Sequence, residues 1–135
     1  MARLGISDAF AKYGAVLRNP QWSVSAWAPD GSLVISLWQH HHRKGAPGTI
    51  EFTDSLDRWA GPGNAEARKN IAHAFAKKSK VLLVIVKAVK REDQAKVEAG
   101  EDASNIPKEF FAREDLIGEV TELNGPVYVF RFQRM

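Results

Sequence analysis

Two runs of strand-forming residues, Trp22 to Ala28 and Leu33 to His40, stand on either side of Pro29-Asp30-Gly31-Ser32. Proline fixes φ, aspartate offers a turn acceptor and glycine tolerates φ values that other residues avoid, so the chain reverses there into an antiparallel hairpin. That feature commits the first third of the chain to a sheet. With side chains alternating, Trp22, Val24 and Ala26 join Leu33, Ile35 and Leu37 on an apolar face. The opposite face then carries Ser23, Ser25 and Trp27 with Val34, Ser36, Trp38 and His40, a mixture of hydroxyls, rings and an imidazole.

The rest of the pattern extends this sheet. Leu116 to Leu123, Asn124-Gly125 and Pro126 to Phe132 read as a second hairpin with Tyr128, Phe130 and Phe132 on one face. Thr49 to Thr53 is a short strand, and Val81 to Val89 a strand buried on both faces at least through Val86. Asp54 or Ser55 is placed to start a single helical turn through Trp59. Ser7 is placed to cap a helix through about Arg18, with Phe10, Tyr13, Val16 and Leu17 on one side. A second helix is expected from about Ala65 to Lys78, burying Ala67, Ile71, Ala74 and Phe75. Residues 91–105 read as polar, one helical turn and a loop, and Pro107 to Arg113 as a short helix burying Phe110 or Phe111. Together these predict one α+β domain over residues 1–135. Its sheet is curved, mixed or antiparallel, of about six strands, or a partly open barrel, with two main helices.

The strand Leu116-Ile-Gly-Glu-Val, following a short Phe-rich helix, resembles the late strand of PUA-like barrels, several of which bind RNA or modified DNA bases. The likeness spans about a tenth of the chain and carries no diagnostic motif.

Composition excludes several classes. At 135 residues and 44% hydrophobic the chain suits one packed core. Without cysteine there is no disulfide, no thiolate metal site and no cysteine nucleophile. The longest strictly apolar run, Val81 to Val86, is far short of the roughly 20 residues of a membrane span, and no secretory h-region opens the chain, which predicts a cytoplasmic protein. The net charge of +3 permits a polyanionic partner without demanding one.

Four constellations could carry chemistry. In D-R-W-A-G-P-G-N-A-E-A-R-K-N, residues 57–70, Gly61, Pro62 and Gly63 lead into the second helix, with Asn64 as its expected cap. Arg58 and Trp59 would then flank a helix start suited to a phosphate and a stacked ring. Alternatively Trp59 folds into the core and the glycines merely turn the chain. In His40-His41-His42-Arg43-Lys44, strand alternation would let only His40 and His42 share a metal, with Asp54, Asp57 or His73 as a third ligand, unless the run is simply a solvated basic loop. A basic run, Lys77 to Arg91, precedes an acidic one, Glu92 to Asp102, and the two could pair with each other at the surface. Asp54, Asp57 and Glu66 with Lys69 faintly suggest an acidic nuclease site, although acids near helix starts are commonly caps. No Walker, G-x-S-x-G or H-E-x-x-H signature is present.

The expectation is therefore a non-enzymatic nucleic-acid-binding module for DNA or RNA, with no catalytic residue, cofactor or metal assigned. Phosphates would meet His40, His42, Arg43, Lys44, Arg58, Arg68, Lys69 and the backbone at Gly63 and Asn64, and a base would meet Trp27, Trp38 or Trp59. One alternative is a protein-interaction or inhibitory domain anchored by those indoles. Another is a metal-dependent hydrolase or nuclease, which requires His40 or His42 within coordination distance of an acid.

Overall fold

The structure, a computed structural model, describes residues 5–101 and 106–135. Its elements run α1 (Ile6–Ala11), β1 (Ser25–Trp27), β2 (Leu33–Trp38), a 3-10 turn (Gln39–His41), β3 (His42–Lys44), β4 (Thr49–Ser55), α2 (Pro62–Lys77), β5 (Val81–Ala88), α3 (Arg91–Glu98), β6 (Lys108–Ala112), β7 (Leu116–Asn124) and β8 (Val127–Arg134). The class is α+β, with eight strands among the described residues where the sequence suggests about six. No helix among them is long and apolar enough to cross a membrane.

The sheet order is β1-β2-β5-β7-β8-β4-β3, with β6 also pairing β5. Among the described residues only β2 and β5 run parallel; the other pairs are antiparallel. Strand β2 lies near one end of this order and β3 at the other, yet a 3-10 turn of three residues joins them. The sheet therefore curls strongly on itself.

Alternation along β5 builds the two cores predicted for a strand buried on both faces. Val81, Leu83 and Ile85 face a core with Phe130, Phe132 and Tyr128 from β8 and Ala67, Ile71 and Ala74 from α2. Val84 and Val86 face a second core with Phe10 of α1, Val34 and Phe110. The second hairpin forms as its sequence indicates, with a bulge between Val120 and Glu122.

Several local expectations are corrected. The first hairpin pairs Trp27 with Leu33 and Ala26 with Val34, so its loop has five residues, 28–32, instead of four. Changing the loop by one residue moves one strand's side chains to the opposite face relative to its partner. Trp27 accordingly packs toward the core of Leu33 and Ile35, and Trp38 toward that of Val34. The mixed polar and aromatic face is thus divided.

Pro107 to Arg113 contains strand β6, not a helix: antiparallel pairing to β5 sends Phe110 into one core and Phe111 against the other. That removes the helical half of the PUA-like resemblance. Helix α1 is only six residues long, begins after Gly5 and leaves Val16 85% exposed. Asp54 and Ser55 end β4, and a turn, with no helix, leads on to Trp59. Phe75 is 40% exposed on α2. The polar segment folds as α3 through Glu98, and the expected pairing of Lys77–Arg91 with the acids after it is not seen among the described residues. Asp102, at the end of that acidic run, lies outside them.

Candidate functional site

The loop before α2 is a structural joint. Gly61 takes φ 112°, which only glycine adopts without strain, and Pro62 follows at the first helical position, so α2 starts three residues before Ala65. The Trp22 carbonyl packs directly on Gly63, leaving no room for a Cβ. Asn64 is buried within the first turn: its Nδ2 donates to the Leu56 carbonyl at 2.8 Å and its Oδ1 accepts from Arg68 Nε at 2.7 Å. Arg68 also donates to the Leu56 carbonyl and to Asp57. Trp59 is half-buried against the Phe130 core. Arg58 donates to both oxygens of Asp54 at 2.8 to 3.0 Å and, through Nη1, to the Val97 carbonyl at 2.7 Å. The side-chain donors expected to form a phosphate cradle, those of Arg58, Asn64 and Arg68, are engaged within the protein.

Two other constellations remain. The first is an open surface pocket of about 330 Å³ beside β1, lined by Val16, Arg18, Ser25, Trp27, Glu66 and Asn70 together with Ala26. Asn70 of α2 ties it together, accepting from Trp27 Nε1 at 3.2 Å and donating to Ser25 Oγ at 2.9 Å. Strand β1 is the sheet edge. Because Val24 and Ala28 bond across to Ser36 and Ser32, strand alternation turns the backbone groups of Ser25 and Trp27 outward. Glu66 Oε1 is shielded from solvent and has no hydrogen-bond partner among the described residues. Arg18 and Lys69 are exposed and have no ion-pair partner among the described residues.

The second constellation lies where β2 passes into β3. Residues 39–41 form a 3-10 turn instead of strand, so alternation does not apply and the His40 and His41 rings meet, with centroids 4.4 Å apart. This corrects the pairing of His40 with His42, which sits exposed on β3 near the Phe52 ring. Glu98, at the end of α3, places Oε1 against His41 Nε2 and 2.6 Å from His40 Nε2. The shielded His40 nitrogen makes no aligned hydrogen bond there. Burial, then the neighbouring His41, hold the His40 pKa below its ordinary value. On its other side His41 Nδ1 lies 3.4 Å from Asp54 Oδ2, the carboxylate that Arg58 grips.

No protein-family model matches the chain, and no curated protein or solved structure is significantly similar to it.

Functional assignment thus rests on these two sites. Of the residues singled out in the sequence, Ser25, Trp27 and Glu66 line the pocket, Lys69 is exposed on the same helix as Glu66, and His40 falls in the histidine cluster. Trp38 stands next to His40, 5.7 Å between ring centroids, on the face opposite Trp27. Arg43 pairs with Glu51 at 3.0 Å, and Lys44 is exposed. Sequence reasoning missed Arg18, Asn70, His41 as a partner of His40, and Glu98. Strand alternation argued against His41, and no local signal connects Glu98 to residues 57 positions away.

Proposed function

We propose that the protein is a nucleic-acid-binding module that takes up one base in the cavity beside β1. One observation carries this reading: Glu66, whose Oε1 has no hydrogen-bond partner among the described residues, lines a pocket that Trp27 also walls. Leaving a buried acceptor unpaired costs about 1–3 kcal/mol, more when it is charged. With the Glu66 side chain rotated toward the pocket, a base bearing an exocyclic amino group supplies the missing donor. Trp27 offers a ring face, the outward backbone groups of Ser25 and Trp27 offer a polar edge, and Arg18 with Lys69 offers charge for the flanking phosphates. The pocket, about 330 Å³ and open to solvent, has room for one base. A PUA-like assignment belongs to the same reading and rests on the Leu116–Val120 strand alone.

The test is fluorescence anisotropy with labelled oligo(dA), oligo(dC) and oligo(dT) over a salt series. The reading expects tighter binding of the amino-bearing oligo(dA) or oligo(dC) than of oligo(dT), and loss of that preference in Glu66→Gln. Trp27→Ala should remove about 1–3 kcal/mol of stacking, and Lys69→Ala should lower the salt slope by about 0.7 on single strands. Absence of binding at low salt, or affinity unchanged in Trp27→Ala, refutes it.

A further inference from the structure

We propose that His40, His41 and Glu98 bind a divalent first-row transition-metal ion, with Asp54 as the positioning residue that orients His41. The inference concerns residues outside the cavity and does not depend on the nucleic-acid reading.

Three ligand atoms, two imidazole nitrogens and a carboxylate oxygen, lie within 4.8 Å of one another. They come from the 3-10 turn and from the end of α3, segments far apart in sequence that the fold brings to one point. Such convergence places two nitrogen donors and one oxygen donor in a set suited to zinc, cobalt or nickel in preference to magnesium or calcium.

The contacts around the cluster agree with this. Arg58 donates to both oxygens of Asp54, and His41 Nδ1 lies 3.4 Å from that carboxylate, so Nε2 is the ring atom that faces Glu98 Oε1. His40 presents its own shielded nitrogen, which makes no aligned hydrogen bond, to the same oxygen, and one metal ion would serve both rings.

The surroundings fix the donors before any ion arrives. The Asp54 contact to Nδ1 is the carboxylate–histidine arrangement that sets tautomer and ring orientation at metal centres. Arg58 joins that carboxylate to the Val97 carbonyl, one residue before Glu98, and so anchors β4 to the end of α3. Three protein donors leave coordination positions for water or another oxygen ligand, as open zinc sites do. Access is from the Glu98 side: that side chain is 48% exposed, against 13% and 10% for His40 and His41.

The experiment is isothermal titration of the tag-free, chelator-stripped full chain with Zn²⁺, and with Co²⁺ followed by its visible absorption. The expected result is one ion per chain, with affinity falling at least about tenfold in His40→Ala, His41→Ala and Glu98→Gln. Asp54→Asn should weaken binding by about 10–100-fold, the usual effect of losing a carboxylate behind a ligating histidine, and shift the Co²⁺ spectrum, which a purely structural role would not do. His42→Ala should bind as the parent does. Glu98 is about half exposed, so Glu98→Gln keeps the test decisive should other variants not fold. No stoichiometric binding, equal affinity in Glu98→Gln and parent, or loss of binding in His42→Ala each overturns the proposal.

Discussion

Replacing Asn70 by alanine tests how the cavity is built. Its side chain spans from α2 to the edge strand, accepting from Trp27 Nε1 at 3.2 Å and donating to Ser25 Oγ at 2.9 Å. Each such bond contributes about 1 kcal/mol net, so two bonds give about 2 kcal/mol. Ser25 is 1% exposed and would lose its donor, adding up to about 1 kcal/mol, whereas the half-buried Trp27 N–H can turn to water in the cavity. Asn70→Ala should therefore cost about 2–3 kcal/mol. Urea unfolding should show an unchanged m-value, and Tm should fall by about 3–5 °C per kcal/mol for a domain of this size. A cycle with Ser25→Ala should reveal a coupling of at least about 0.5 kcal/mol, because the residues are in direct contact. A cost below about 0.5 kcal/mol, or strict additivity, would refute the claim that Asn70 secures the first hairpin to α2.

Three further outcomes follow from the fold. Ile71→Ala, at a position 1% exposed in the main core, should cost about 2–5 kcal/mol in the same urea assay. Gly63→Ala must push α2 away from the Trp22 carbonyl, so it should lower Tm where Ala65→Gly, on the exposed side of the same turn, costs only about 1 kcal/mol. The Arg113 hydrogen bond holds the Asp115 pKa down, from an ordinary 3.8 to about 2. A depressed carboxylate stabilises the fold fully above its unfolded value and loses that contribution as pH falls through the folded one. Stability followed from pH 5 downward should thus decline less steeply in Asp115→Asn than in the parent between about pH 4 and 2.

What the sequence revealed depended on how locally each feature is determined. The apolar run at Val81–Val86 and the alternation of Tyr128, Phe130 and Phe132 are set by neighbours in the chain, and both appear in the structure. The first hairpin was legible as a hairpin, but its faces depended on a single loop residue, Ala28, and its register came out shifted. Phe110 and Phe111 are equally at home in a helix or a strand, and pairing with β5 decided for strand. At the sites, Trp27 was legible as a candidate while its partners Arg18 and Asn70 were not, because tertiary packing brings them together. His40 and His41 meet only because the chain leaves β2 through a 3-10 turn, and Glu98 reaches them from a distant helix. The cations that looked most available, Arg58 and Arg68, are engaged by carboxylates and carbonyls that sequence spacing does not reveal.

The most direct measurement is tryptophan fluorescence of the parent and of Glu66→Gln titrated at low salt with oligo(dA), oligo(dC) and oligo(dT). The account predicts quenching with a clear preference for oligo(dA) or oligo(dC) over oligo(dT) in the parent and no such preference in the variant. Quenching that is the same for all three oligonucleotides in both proteins, or absent altogether, would contradict it.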